Sequence, residues 1–528
     1  MALVVCAWLT ASTVPLLDPD EGYYPATAAE SVAAGDWWDL RFNDAPRWDK
    51  PVLAYALIEG AFAVFGVDTA SARLPSALEG AALVLLLAAL VGRLTTRTTG
   101  ALTALVMAST LGIQLFARAA HPEIAVVSAI AVTQALLAIW LIAPPRERLA
   151  GLPVLIGVSM GYGLLAKGPV AVAIPAIGVA VAAPFLVDLR RRWRGALLDG
   201  LLAGVVAVGV AAPWFAAMTA RHGTEFLRVA VWQQNVGRYT GQLPEHHASL
   251  LYFVLPTAVA MLPWTALVIP ALARVRGAAA DRREALRVCA AVFALTSFAF
   301  YSLSVSKLAG YALVFVPPLS ILIALYLEDV LAAGRGGAKA MGATVLMLLI
   351  LGLALFALPL VEARSASAQS VFGGVAGDEA QPLLFRAVVP VAIVLVAGAA
   401  ALQLAGRSRR MLVLVVIGFA IPLAAIFAAR PVVLVSYPWQ RFGSQIAAAP
   451  APAWVYGYRT PSLTFYAGQP VQRLTDMPGI NAVVEKPGPA WIVVDQVLLG
   501  SGPLAERIAG RTAAVIDRAG RLALVRLS

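Results

Sequence analysis

Residues 74–91 read LPSALEGAALVLLLAALV, a run with one charge, at Glu79. An apolar run of about 20 residues is what a helix needs to cross the hydrocarbon core of a bilayer. A helix also satisfies its own backbone polar groups there. Runs of the same kind recur on both sides: Met1–Leu17, Ala101–Phe116, Ile124–Ile142, Leu152–Leu165, Val170–Val187, Leu198–Met218, Leu250–Leu272, Val288–Leu303, Tyr311–Leu327, Met341–Val361, Ala387–Leu404 and Met411–Ala428. The chain has 528 residues, 60% of them hydrophobic and 13% charged. The expected fold class is a polytopic α-helical membrane protein with about thirteen spans. Met1–Leu17 is short and has no basic flank, features shared with a signal-peptide core. We read it as the first span, because no cleavage site precedes the acidic segment that follows.

The formal net charge is +11. In a soluble protein that balance would suggest nucleic acid as a partner. Here the arginines sit in short turns, with no basic stripe interleaved with aromatics, so nucleic acid is not expected. They alternate as topology determinants do. Arg93 and Arg97, Arg146 and Arg148, Arg190–Arg194, Arg274–Arg287, Arg335 and Lys339, and Arg407–Arg410 mark every second turn as cytoplasmic. The intervening turns are then extracytoplasmic: the acidic loop before residue 74, His121–Glu123, Lys167–Gly168, Arg221–His247 and Ser304–Gly310. Nearly every unusual polar residue falls on that side, which predicts one polar cavity open to it. Cys6 and Cys289 lie in apolar runs and suggest neither a disulfide nor a metal site.

From Ser436 the composition changes. AWVYGY, SLTFYAG, AWIVVDQVLL and RLALVRLS are short, β-rich and separated by Gly, Pro and charge. The expected organisation is a transmembrane domain over 1–435, with extracytoplasmic loops at 18–73 and 220–248, and a small soluble extracytoplasmic α/β domain over 436–528.

The polar loop, residues 18–51, reads DPDEGYYPATAAESVAAGDWWDLRFNDAPRWDKP. Ionisable residues crowded beside a bilayer suggest a functional site. A helix is predicted over Tyr24–Ala34, with Pro25 suited to its start. Asp20 and Glu21 then read either as caps for orphan amides or as a general base. Trp37, Trp38 and Trp48 suit the headgroup level. Lys50 reads as a surface partner of Asp49 or as a compact phosphate-binding charge, with Pro51 fixing its backbone as extended. Glu123 reads as a helix cap or as a second carboxylate facing Asp20. The loop 221–247 carries Arg228, Asn235, Arg238, His246 and His247, two of the chain's 4 histidines. Asp49 with His247 is an O,N pair acceptable to several divalent ions, and a hydrogen-bonding histidine is the alternative. Lys307 either snorkels to the interface or joins Arg238 and Lys50 around a phosphate. There is no Walker loop, Rossmann fingerprint or Asp-rich nucleotide-sugar motif, so no nucleotide cofactor is expected.

Together DPDEGYY, SVAAGDWWDLRFNDAPRWDKPVLAYAL, FGVDTASARLPSAL, LLAKGPVAV, QQNVGRYTGQLPEHHASLLYFVLP and SLSVSKLAGYALVFVPPLSILIAL resemble the GT-C membrane glycosyltransferases of aminoarabinose transferase and protein O-mannosyltransferase type, in order, across the whole membrane part. The resemblance implies a sugar transferred from a polyprenyl-phosphate donor to a lipid A-like glycolipid, a cell-envelope glycan or a protein. The site would be on the extracytoplasmic side of a bacterial inner membrane. It implies that Asp20 and Glu123 are catalytic, that Lys50, Arg238, Lys307 and Tyr311 meet the donor phosphate, and that Asp49 and His247 are candidate ligands for a divalent metal. Tyr23 stands where the aminoarabinose branch has an arginine, and Arg47 where it has an aromatic residue. A transporter or flippase of a lipid-linked sugar is the rival reading. It would expect ionisable residues deep in the spans and related halves.

Overall fold

A computed structural model describes residues 14–186, 189–241, 248–277, 279, 281–333, 437–500 and 513–528. The expected spans Met341–Val361, Ala387–Leu404 and Met411–Ala428, residues 1–13 of the first span, and His246 and His247 lie outside them.

Helix α1 (Asp20–Ala34) begins earlier than the predicted Tyr24, and Pro25 lies inside it. Asp20 and Glu21 fill its first turn, where carboxylates favour the helix dipole. The Glu21 carboxylate also accepts the Leu17 N–H at 2.9 Å. These contacts nucleate the helix ahead of the proline, which removes only the bond to the Glu21 carbonyl. A hairpin follows, β1 (Arg41–Phe42) with β2 (Ala45–Pro46). Its turn residues Asn43 and Asp44 take φ of 52° and 65°, a conformation Asn and Asp tolerate best among non-glycines. Glu30 accepts both their N–H groups, at 2.8 and 3.0 Å. The apolar helix α2 (Leu53–Phe65) closes the loop region.

The membrane part continues with α3 (Thr69–Leu94), α4 (Arg97–Ser109), α5 (Leu111–Phe116), α6 (Glu123–Ile142), α7 (Leu152–Lys167), α8 (Val170–Leu186) and α9 (Leu189–Phe226). Helix α9 kinks at Gly223 and runs on as a π-helix, Leu227–Gly237. The segment expected as a loop from Arg221 is therefore helical as far as Thr240. Next come α10 (Val254–Ala260), α11 (Thr265–Leu272), α12 (Arg282–Leu303), a 3-10 segment (Ala309–Phe315) and α13 (Val316–Ala333).

Two expected spans are broken. Ala101–Phe116 divides at Thr110 into α4 and α5, and Leu250–Leu272 divides at Pro263 into α10 and α11, bent by 110°. The breaks lie against each other. Leu111 N–H donates to the Leu262 carbonyl at 2.9 Å, and Trp264 Nε1 donates to Ser109 Oγ at 2.9 Å. Backbone groups freed at one break are satisfied at the other, the condition for irregular backbone at membrane depth. Among the described residues, five helices are long and apolar enough to cross a membrane, six if the bent pair is one span. Helices α2, α7 and α8 are apolar but shorter.

Three of the basic turns, at 93–97, 146–148 and 274–287, meet at one end of the helices. Arg93 donates to the Glu147 carbonyl at 3.0 Å and Arg282 pairs with the Glu147 carboxylate at 2.6 Å. Arg283 and Arg287 hold Asp329 at 2.7 and 2.9 Å, and Thr96 donates to Glu328 at 2.8 Å.

The C-terminal part is an α/β domain, as its short apolar runs imply. It contains α14 (Trp439–Ala448), β3 (Ala453–Tyr456), α15 (Pro461–Ala467), β4 (Val471–Leu474), α16 (Met477–Glu485), β5 (Ala490–Asp495), α17 (Val497–Gly500), β6 (Ala513–Ala519) and β7 (Leu522–Leu527). The strand order is β4-β3-β5-β7-β6, parallel on the β3 side and antiparallel at β7. Trp439 and Phe442 pack with Val493 on one face, and Ile480 and Val484 with Ile492 on the other. Both faces of β5 are thus covered, which explains its unbroken apolar run.

One buried ion pair ties the first loop to the membrane part. Arg73 on α3 meets Glu21 at 2.6 and 2.9 Å and donates to the carbonyls of Val14 and Pro15 at 2.6 and 3.0 Å. Glu21 also accepts the Ala120 N–H at 3.1 Å. Breaking such a pair strands the surviving charge, so Arg73→Met is expected to cost about 3–5 kcal/mol. The check is a lowered unfolding midpoint in detergent, partly recovered in the Glu21→Leu/Arg73→Met double variant.

Candidate active site

Four segments converge at the end of the helices opposite the basic turns. They are the loop before α2, the α7–α8 turn, the π-helix and the segment between α12 and α13. Together they line a cavity of about 290 Å³. Its charged walls are Asp49, Lys50, Lys167 and Arg238, and its aromatic walls include Tyr239, Tyr301 and Tyr311. Three cations therefore face a small volume with one carboxylate beside them.

Each cation is placed by local structure. Lys50 ends the polar loop, and its ammonium reaches the Asp49 carbonyl at 3.2 Å. Burial, with Arg238 and Lys167 nearby, pushes Lys50 down to about 7. Lys167 is the last residue of α7, and Gly168 turns the chain with φ 82°. A Cβ at Gly168 would come within 3.0 Å of Asn235, so only glycine admits this close turn. The Lys167 ammonium pairs with the buried Glu123 and lies 4.3 Å above the Tyr311 ring centre. Arg238 follows the π-helix, whose end is anchored by Val305 N–H to the Tyr239 carbonyl at 3.1 Å. Arg238 Nε is buried without a hydrogen-bond partner among the described residues. A buried donor with no partner suits an anion.

The expected phosphate set is largely brought together: Lys50, Arg238 and Tyr311 all line the cavity. Lys307 does not. It is buried, and its ammonium donates to the Ser304 carbonyl at 2.5 Å, bracing the segment whose Ser304 and Ser306 do line the cavity. Lys167 stands in its place. The readable signal for Lys167 was a lone lysine in a tight turn between two apolar runs.

Asp20 and Glu123 are outside the cavity wall. Asp20 is exposed on the first turn of α1 and has no hydrogen-bond partner among the described residues. Glu123 is 4% exposed and engaged by Lys167. His121 lies between these carboxylates in the electrostatic sense, feeling Glu123, Lys167 and Asp20, and burial keeps its imidazole below the ordinary range. The two readings of the acidic pair separate here: Glu21 holds structure, while Asp20 is left open to a ligand.

The Tyr23 and Arg47 departures touch each other. The Arg47 guanidinium lies 4.0 Å over the Tyr23 ring centre, pairs with Asp49 at 3.0 Å and donates to the Tyr55 hydroxyl at 3.3 Å. Asp49, a candidate metal ligand, is thus occupied by a guanidinium, and His247 lies outside the described residues. Among the described residues no group of three His, Cys, Asp or Glu is placed to hold a metal. Trp37 and Trp38 are exposed, as a headgroup position requires, but Trp48 packs on His222 and Phe226 with ring centres 5.0 and 5.8 Å away.

A second cavity of about 730 Å³ adjoins the first and shares Pro51, Pro169, Ala230, Val231 and Asn235 with it. Its other walls are Leu164, Gly168, Val208, Ala211, Ala212, Phe215, Ala216, Thr219 and Ala220. A cationic pocket thus opens beside an apolar one.

The described structure combines apolar helices long enough to cross a membrane, a cationic cavity at one end and an appended α/β domain. The fold matches that of ArnT from Cupriavidus metallidurans bound to undecaprenyl phosphate, with TM-score 0.81, 21% identity and coverage of 99% of this chain and 96% of that one. Residues 49–216 match the dolichyl-phosphate-mannose-protein mannosyltransferase family. An undecaprenyl phosphate-alpha-4-amino-4-deoxy-L-arabinose arabinosyl transferase of Pseudomonas aeruginosa is 32% identical over 342 residues, 64% of this chain and 60% of that protein. One of that name from Enterobacter sp. is 27% identical over 323 residues, 61% of this chain and 57% of that protein. The chain thus spans about 60% of the length of the curated relatives it matches. The chain is thus similar to these transferases over part of its length, and its fold is that of the ArnT structure. Its apolar helices make it a multi-pass membrane protein.

Proposed function

We propose that the protein transfers one sugar from a polyprenyl-phosphate donor to an acceptor hydroxyl or phosphate on the extracytoplasmic face of the membrane. The observation that carries this reading is the cationic cavity lying against the apolar one. A phosphate joined to a long hydrocarbon presents that same pairing of charge and apolar surface. The basic turns at the opposite end of the helices support an outward-facing site.

In this mechanism Asp20 accepts the proton of the acceptor hydroxyl as its oxygen attacks the anomeric carbon. The bond from that carbon to the donor phosphate oxygen breaks, and the lipid phosphate leaves with the electron pair. Lys50, Lys167 and Arg238 stabilise the charge that grows there, where preorganised cations contribute most. Tyr311 supports the Lys167 ammonium. Glu123 acts through Lys167 and His121 by fixing their position and charge. A single displacement inverts the anomeric configuration. The relatives' names specify an aminoarabinose donor, and the swapped Tyr23 and Arg47 place a guanidinium beside Asp49 in this chain, so the sugar is the point most open to difference. The acceptor is a lipid A-like glycolipid, an envelope glycan or a protein.

The test is mass spectrometry of intact lipids and envelope glycans from a deletion strain, paired with transfer assays using a labelled polyprenyl-phosphate sugar in membranes. The expected result is the loss of one sugar mass, restored by the wild-type gene. Unchanged lipids, glycans and proteins together with no transfer in vitro would overturn the reading. Movement of the lipid-linked sugar across the bilayer without transfer would favour the flippase.

A further inference from the structure

The segment that carries Asp20 is gripped from two sides. Glu21 and Arg73 fasten it to the membrane part, as described above. Its other partner is the C-terminal α/β domain. Ser462 at the start of α15 donates its backbone N–H to Asp18 Oδ1 at 2.8 Å and its hydroxyl to Asp18 Oδ2. Asp18 N–H donates to the Tyr437 hydroxyl at 2.6 Å, and Leu16 N–H to the Tyr466 hydroxyl at 2.7 Å. Gly22 lies so close to α15 that a Cβ there would meet Ser462 N at 2.5 Å and Pro461 Cγ at 3.0 Å. Farther along the loop, Asn43 pairs with the main chain of Val471, donating to its carbonyl at 2.8 Å and accepting its N–H at 3.2 Å.

We propose that the C-terminal domain is a positioning clamp for the catalytic loop, with Ser462 and Asp18 as its positioning residues. Ser462 is fully buried and satisfies both oxygens of Asp18. Charge-accepting hydrogen bonds of this kind are the directional ones. They fix the backbone at 16–18, immediately before the turn on which Asp20 sits. Asp18 and Glu21 are thereby spent on structure, one toward each domain, and the carboxylate between them stays exposed. The domain carries no catalytic motif of its own, and its ordered contact with the loop gives it a role in the reaction. Burial pushes the Asp18 carboxyl up to about 6, against the pull of its hydrogen bonds from Ser462 and with Tyr437.

The proposal rests on the transferase reading only for its effect on turnover. The experiment uses the full chain in nanodiscs, with Ser462→Ala and Asp18→Asn as disrupting variants and Ser462→Thr as the conservative one. Hydrogen exchange over residues 14–24 is expected to rise in Ser462→Ala and to return in Ser462→Thr. Sugar transfer is expected to fall by about tenfold to a hundredfold, the scale of a small misplacement of a reacting group, with undecaprenyl phosphate affinity unchanged. Unchanged exchange in both disrupting variants would overturn the clamp. So would an equal loss of undecaprenyl phosphate binding and turnover, which would mean general damage. If the wild type transfers no sugar, the transferase reading fails alone, and exchange still decides the clamp.

Discussion

Asp20→Asn is expected to lower sugar transfer by about 10²–10⁴-fold, the usual contribution of a positioned general base. Donor binding should be unaffected, because Asp20 is outside the wall of the cationic cavity. The substitution keeps size and removes only the ability to take a proton. Asp20 is exposed and makes no hydrogen bond among the described residues, so stability should fall only by its helix-dipole contribution, about 0.3–1 kcal/mol. That separates it from its neighbours. Asp18→Asn disturbs the domain contact, and Glu21→Gln disturbs the buried pair with Arg73. Initial rates with a labelled lipid-linked sugar, measured beside donor affinity, check the claim. Wild-type rates in Asp20→Asn would remove Asp20 from the mechanism.

Lys50→Met should lower transfer by about 10²–10³-fold, the loss seen when one preorganised donor to a developing anion is removed. Unlike Asp20→Asn, it should also weaken donor binding, since the same ammonium meets the phosphate before and during reaction. The pH dependence has a definite sign. Burial beside Arg238 and Lys167 holds Lys50 at about 7. Above that pH the empty site contains a neutral lysine, whereas a bound phosphate favours the ammonium, so binding takes up a proton. Affinity for a polyprenyl-phosphate sugar, whose single phosphodiester charge does not titrate here, should fall by up to about tenfold per pH unit above 7. It should be flat below 7, and Lys50→Met should remove the slope. A wild-type affinity that rises through this range would show that Lys50 does not face the phosphate.

Much of this site was legible because membrane chains use charge sparingly. Lys50 and Arg238 stood out against an apolar background, and Tyr311 lay in a stretch that resembled the family's; all three line one cavity. Lys307 stood out for the same reason yet points its ammonium at the Ser304 carbonyl. A lysine beside a span reads alike in sequence whether it faces a ligand or its own backbone. Lys167 was visible as a polar turn, but its role depends on Glu123 and Tyr311, which come from other helices. The breaks at Thr110 and Pro263 were hidden by continuous hydropathy, because the hydrogen bond from Leu111 to Leu262 that joins them links segments remote in sequence.

The sequence by itself determined the membrane class, the α/β character of the C-terminal part and two of the three cations that line the cavity, Lys50 and Arg238. Apolar length, charge placement and residue chemistry are local properties, and each can be read along the chain. Tertiary structure alone decided which carboxylate was available. Asp18, Asp20 and Glu21 are nearly adjacent and chemically alike. Ser462 takes the first and Arg73 the last. Both partners are remote in sequence, and a hydrogen bond or ion pair depends on distance in space, so only the folded chain leaves Asp20 exposed between them.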